Sequence, residues 1–280
     1  MTGLPQLDHT VINARFDLDR AKAVYEDLGF SLTERGYHSH GSINHLMMFG
    51  DNFLELIGLP PGGEHQRPYL AEAPIGINGL VFKSPDVDAV YSHLKNLGMD
   101  ADPPNAFSRP VKLPDGEFPA RFRTVTVRSD VFPGGRVYFC EHGTPHLIWR
   151  PEWQNHLNGA ATISEFVVVS ENFRDEAGTF AKLLQSEVEG DSESLGVPLS
   201  GSRITVLSPA SYLHRYGESA SSMAGRPSIF GAVVFQTNGL DAVRKVIGQA
   251  TSPITVTDEP ERVVIHDTTF DSVLEFIERN

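Results

Sequence analysis

Two hydrophobic rhythms alternate along the chain. Short apolar runs are followed by a polar turn, and then by apolar residues at helical spacing. LVFKSPDVDAV, from Leu80 to Val90, lies without gaps on VVFQTNGLDAV, from Val233 to Val243. Both read as a strand, a turn and the start of an amphipathic helix, an internal repeat. The stretch from His9 to Phe30 has the same form, with Asp17-Leu18-Asp19 matching Asp86-Val87-Asp88. A weaker fourth copy runs from Glu165 to Leu184. Phe166-Val167-Val168-Val169 has the composition of a strand. Ala21, Val24, Tyr25 and Leu28, closed by Gly29, have the spacing and ending of a helix.

More strand-like runs follow each helix: LMMF and FLELI, then RTVTV and RVYFC, then SRITVL, then VVIH and VLEFI. The pattern predicts four βαβββ units near residues 1–62, 70–142, 160–218 and 226–280. Residues 142–160 (HGTPHLIWRPEWQNHLNGA) show no period and read as a linker that packs Trp149 and Trp153 against one or both halves. The stretch 103–118, with Pro103, Pro104, Pro110 and Pro114, reads as a loop reaching over part of the molecule.

Composition narrows the function. The 280 residues, 40% hydrophobic, suffice for one large domain or two small ones. A formal net charge of −13 argues against a nucleic-acid partner and suits a protein of small molecules. The single cysteine, Cys140, rules out an internal disulfide framework and a cysteine zinc cluster, and in VYFC it reads as an inert buried thiol. With no leader-like start and no apolar run long enough to span a bilayer, the expectation is a cytoplasmic protein without membrane partners. No G-x-S-x-G, P-loop or strand-coupled G-x-G-x-x-G supports a hydrolase, NTPase or Rossmann reading.

The chemistry concentrates in GSINHLMMFGDNFLELIG, from Gly41 to Gly58. Strand alternation puts Phe53, Glu55 and Ile57 on one face. That face either lines a cavity, where Glu55 needs a cation, or is half solvated and Glu55 is wet. His9, between Leu7 and Val11, has the same two readings. Glu141 and His142 are adjacent, so a register slip of one residue decides which faces inward. His38, His40 and His45 crowd one loop, where Asn44 and His45 are the better candidates for binding or acid–base work.

LDHTVI (Leu7–Ile12), the Gly41–Gly58 stretch, and RVYFCEHGTPHLIWRPEWQNHLNGA together resemble the vicinal oxygen chelate superfamily, nearest its glyoxalase-like branch. The resemblance implies an α+β fold: four βαβββ modules paired into two cupped sheets of the glyoxalase/dihydroxybiphenyl-dioxygenase kind. Residues 1–145 would form a glyoxalase-like domain with the site, 146–160 a linker, and 161–280 a second, degenerate pair. It implies a divalent metal held by first- and last-strand side chains, here His9, Glu55 and Glu141. Sliding His9 along the matched Asp-x-Asp gives Asn78 in unit two, where metal-dependent members usually carry His. Asparagine is a weak ligand, so either water completes the shell or the metal has been lost. Manganese, magnesium or iron would suit the oxygen-rich set better than tight zinc; nickel stays among the options.

Glu141 and His45 are the catalytic candidates, with Asn44, Asn78 and His40 as substrate contacts. In the second half the first-strand positions fall on Glu165 and Gly231, and Glu275 mirrors Glu55. That half lacks imidazole there, which weakens an extradiol dioxygenase reading. The expectation is a monomeric or homodimeric metalloenzyme (lyase, isomerase or dioxygenase) for a small oxygenated substrate. The alternative is a metal-free protein that binds or sequesters a small molecule in the same cup.

Overall fold

The computed structural model describes residues 4–279. The first unit is β1 (Leu7–Asn13), α1 (Leu18–Asp27), β2 (Gly36–Tyr37), β3 (Ile43–Met48) and β4 (Phe53–Gly58), followed by the short helix α2 (Pro68–Glu72). The second is β5 (Gly76–Lys83), α3 (Val87–Asn96), β6 (Asn105–Leu113), β7 (Gly116–Thr126) and β8 (Arg136–His142). The third is β9 (Ala160–Ser170), α4 (Phe173–Leu184), β10 (Glu189–Gly190), β11 (Ser194–Leu199) and β12 (Ser202–Leu207), followed by α5 (Pro209–Tyr216). The fourth is β13 (Ser228–Thr237), α6 (Leu240–Ile247), β14 (Ile254–Glu259), β15 (Arg262–Asp267) and β16 (Ser272–Glu278). The fold is α+β, with four βαβββ units paired into two eight-stranded mixed sheets.

The first sheet runs β2-β3-β4-β1-β5-β8-β7-β6 and the second β10-β11-β12-β9-β13-β16-β15-β14. β1 pairs parallel with β4 and antiparallel with β5, so the first strands of the two units meet at the centre. The sheet curls until its ends touch: Ser39 N–H donates to the carbonyl of Ser108 at 2.8 Å.

Sequence explains the helix starts. The Asp86 carboxylate accepts from the N–H groups of Asp88 and Ala89, and the Ser208 hydroxyl accepts from Ser211 N–H ahead of Pro209. Alternation along the strands divides the core. Ile12, Leu54, Leu80 and Phe82 face the helices and join Phe166, Phe235 and Phe276 of the second sheet in one continuous cluster. Val11, Phe53, Ile57, Val81, Phe122 and Tyr138 face the concave side of the first sheet.

The proline-rich stretch is not a loop. Residues 105–113 and 116–126 form a hairpin in which Pro110 sits opposite Pro119. β6 is the sheet edge, where a residue without N–H costs no ladder bond to a further strand. Residues 142–160 contain two turns of 3₁₀-helix, Pro145–Leu147 and Pro151–Trp153. Trp149 packs on Phe53 and His142 of the first sheet.

Candidate functional site

The concave face of the first sheet encloses a cavity of about 440 Å³, lined among others by His9, His38, Asn44, Glu55, Tyr138 and His142. Its floor is a chain of polar contacts. Asp8, fully buried, accepts through Oδ2 from His9 Nδ1 at 3.0 Å and from His142 Nε2 at 2.8 Å. Burial alone would push the Asp8 carboxyl up; the two imidazoles outweigh it, His142 most, and hold it well below the usual carboxylate range. A carboxylate cannot donate, so a neutral His9 ring carries its proton on Nδ1 and turns the lone pair of Nε2 into the cavity. Nε2 lies 3.1 Å from the Tyr138 hydroxyl and 3.7 Å from Glu55 Oε2. Phe53 stacks on the His9 ring at 4.3 Å and fixes its plane. Burial holds the Tyr138 phenol protonated, well above its ordinary pKa.

On the other side of Glu55, Asn44 Nδ2 donates to Oε1 at 2.6 Å and lies 3.4 Å from His38 Nε2. An amide NH₂ only donates, so His38 Nε2 is also a lone pair. Nδ1–H is then directed at Ser42 Oγ, 2.9 Å away. His38 Nε2 stands 4.0 Å from Glu55 Oε1. Burial, helped by Arg109 and Arg67, keeps the His38 pKa well below that of a free histidine.

The sequence expectations divide. His9, Glu55, Asn44 and His40 line one cavity. Glu141 does not: Cys140 and His142 face inward on β8, and Glu141 alternates to the opposite face. There Oε2 caps α3 by accepting from Val87 N–H at 3.0 Å and lies 3.5 Å from Arg123 Nη1. His45 is also turned away, since the cavity takes Asn44 and Leu46 from β3; its Nδ1 meets the carbonyl of Thr33 at 2.8 Å.

Asn78 lies outside the cavity lining, and the position matching His9 is one residue on. Val11 pairs with Glu55 on one side and Gly79 on the other, and Val81 pairs with Tyr138. In this register Gly79 is the counterpart of His9, and Tyr138 that of Glu55. Asn78 is the extra residue of a bulge, between Val11–Gly79 and Ile12–Ile77. Gly79 stands seven residues before Asp86 where His9 stands eight before Asp17, so an alignment anchored on the helix starts lands one residue short. A β-carbon on Gly79 would come within 2.7 Å of the Val11 side chain. No larger side chain fits there without a shift.

Sequence reasoning missed Asp8, His38 as part of the floor, and Tyr138. Asp8, Cys140 and His142 also form a group whose ligand atoms all lie within 4.8 Å of one another. Asp8 Oδ2 in that group is already occupied by two imidazoles, and burial pushes the Cys140 thiol pKa well up.

The matching face of the second sheet is filled. Tyr212 and Tyr216 of α5 pack against Val167, Val234 and Val264. By register, Glu165 matches His9, Thr205 matches Glu55 and Glu275 matches Tyr138. Arg215 binds both oxygens of Glu165 at 2.8 and 3.0 Å and Glu275 at 2.7 Å, and the Tyr216 hydroxyl donates to Glu275 at 2.7 Å. A cation does sit between these acids, and it is a guanidinium of the chain itself. Glu165 and Glu275 thus have no open coordination face for a metal.

No curated protein matches this chain in sequence. Among solved structures, a hypothetical protein from Staphylococcus aureus is 14% identical with a TM-score of 0.68, over 99% of this chain and 100% of the other. A triple mutant of 4-hydroxymandelate synthase from Streptomyces coelicolor is 12% identical with a TM-score of 0.59, over 100% of this chain and 94% of the other. A xylose isomerase-like TIM barrel/4-hydroxyphenylpyruvate dioxygenase fusion protein is 13% identical with a TM-score of 0.63, over 99% of this chain and 50% of the other. These likenesses establish the fold. The profile of the glyoxalase-like domain matches residues 7–184, the whole first sheet and the start of the second. The chain belongs to the glyoxalase-like domain family.

Proposed function

We propose that the first cup is the active site of a glyoxalase-like enzyme for a small oxygenated substrate, with His9, Glu55 and His38 as ligands of a divalent cation. One observation carries this reading. Two imidazoles, each with Nδ1 engaged, present Nε2 lone pairs to the two oxygens of one buried carboxylate at 3.7 and 4.0 Å. Those distances are too long for hydrogen bonds. They suit donors sharing one ion, since atoms bound at roughly 2.1 Å stand roughly 3–4 Å apart. Asp8 behind His9 is the outer carboxylate that fixes a ligating imidazole.

Such an ion would supply Lewis acidity to a substrate carbonyl or vicinal oxygens. The chain's own residues do the rest. Asp8 and Phe53 hold His9 in plane, Asn44 orients Glu55, and the Tyr138 hydroxyl, 3.1 Å from His9 Nε2, would release that lone pair to the ion. Two imidazoles and one carboxylate favour iron or manganese among the candidates.

Gly79 and Tyr138 favour a second reading, a metal-free small-molecule-binding protein of the same fold. The two corners related to His9 and Glu55 carry no charged ligand. Metal analysis on protein purified without chelators separates the two. The enzyme reading expects about one ion per chain, falling to a tenth or less in His9→Ala and Glu55→Ala. A metal-free wild type, with ligand binding intact in both variants, would establish the binder.

A further inference from the structure

The floor of the cup leaves three guanidinium groups of its wall without a role. Arg67, Arg109 and Arg136 all line the cavity. The arginine ion pairs among the described residues belong elsewhere, to Arg35, Arg123, Arg150, Arg215, Arg244 and Arg262. Neutral groups hold two of them in place. Arg136 lies 4.1 Å over the Tyr69 ring and donates to the Tyr69 hydroxyl and to Thr126 Oγ1, at 2.9 and 3.3 Å. Arg67 lies 4.8 Å from the same ring centre and donates to Ser42 Oγ at 3.2 Å.

Arg109 is the most telling. It is 5% exposed, and its Nη2 is buried with no hydrogen-bond partner. Room for it is built in: a β-carbon on Gly36 would lie 3.1 Å from Arg109 Nη1 and 2.2 Å from Asn44 Oδ1. Burial lowers the pKa values of Arg67 and Arg109 to about 10, which leaves both charged at neutral pH. The acids of the lining are Glu55 on the floor and exposed Asp102. A chain of net charge −13 therefore sinks three cations into a cavity with fewer acids to meet them. Burying a charge without a partner is costly, and an incoming anion removes that cost.

We propose that the cavity takes an organic anion, a carboxylate or phosphate on a flat apolar body, and that Arg109 with Arg67 and Arg136 binds the oxyanion. This rests on the reading of the first cup as the ligand site and adds the class of ligand. The guanidinium fork matches the oxygens of either anion. Phe107 and Phe122, stacked at 5.1 Å, supply a flat apolar wall together with Ile57 and Ile148. The cavity volume suits a ring-sized molecule.

The test is calorimetric titration of the full chain with benzoylformate, with its neutral amide, and with phenyl phosphate. At least one anion should bind about tenfold or more tightly than the amide, and Arg109→Gln should remove about tenfold or more of anion affinity while moving the amide little. Whichever anion wins identifies the oxyanion. Equal binding of acid and amide, no binding of either anion by the wild type, or undiminished anion binding by the variant overturns the proposal. A second measurement covers misfolding. Ligand-free Arg109→Gln should melt at or above the wild-type temperature, since the variant loses a buried charge that Glu55 offsets only from a distance and no ion pair meets. A drop of several degrees would assign Arg109 to structure and overturn the proposal. Metal content of the same samples keeps the two readings apart. Anion discrimination without bound metal leaves this inference standing and sinks the cation site, and bound metal without anion discrimination does the reverse.

Discussion

Asp8 does more for the cup than any residue visible in the sequence pattern. It has no exposed surface, yet it stays ionised because two imidazole N–H groups converge on one oxygen. That contact chooses the tautomer of His9 and so decides that a lone pair enters the cavity. Asp8→Asn keeps the shape and removes the charge. An asparagine can turn its NH₂ toward His9, which would then put its proton on Nε2. The expected result is metal affinity lower by about 10–100-fold, with the fold intact by circular dichroism. Unchanged affinity would remove His9 from the ligand set. His9 and Glu55 were legible only with the family resemblance, since strand alternation groups Glu55 with Phe53 and Ile57 but leaves open whether that face lines a cavity. Glu141 was not, because His142 stands next to it and only the pairing of β8 with β5 fixes which of the two faces inward. Asn78 failed for another reason: the connection from β5 into α3 is one residue shorter than that from β1 into α1, so matching the helix starts displaces the strand by one.

At the scale of elements, the segment from 142 to 160 carries its own titration. His156 Nδ1 accepts from Ser31 N–H at 3.0 Å, and Nε2 lies 2.8 Å from the carbonyl of Met48. The first contact requires a bare nitrogen, so the ring must be neutral here. Burial lowers its pKa below the ordinary 6.5, only partly countered by the bond to Met48. Above pH 6.5 neither folded nor unfolded chain binds this proton, and it contributes nothing. Below 6.5 the unfolded chain takes up a proton that the folded one refuses, so stability falls with falling pH. Urea midpoints between pH 7.5 and 5 should therefore drop more for the wild type than for His156→Gln. Parallel curves would show that the segment tolerates a charged ring. The segment reads as a linker in sequence because Pro, Trp and Asn give no period. Its anchoring to β3 and to the chain after α1 is long-range and leaves no local signal. α5 is a similar case: an ordinary short amphipathic helix in sequence, whose Arg215 meets two acids from strands far along the chain.

For the whole molecule the two sheets do not stand apart. Phe30, from the end of α1, touches Phe235 and Phe276 of the second sheet at 5.5 and 6.1 Å between ring centres, and Phe132 stacks on Phe180 at 4.3 Å. Polar contacts cross as well: Asn52 bonds the backbone of Ile163 in both directions at 3.0 Å, and Asp27 accepts from the N–H groups of Thr251 and Ser252 at 2.8 Å. The repeat made the four units legible, because each repeats the same strand and helix periods. It said nothing of this contact, which depends on faces that look alike in every unit. Its energetic consequence follows from the shared core. Unfolding either half alone would expose the aromatic layer of the other to water, at about 25 cal/mol for each Å² of apolar surface. The halves should therefore unfold together. Differential scanning calorimetry is expected to show one transition with calorimetric and van't Hoff enthalpies in agreement. Two resolved transitions would show instead that each cup is held by its own sheet, and the filled second half would then be a passenger on the first rather than its support.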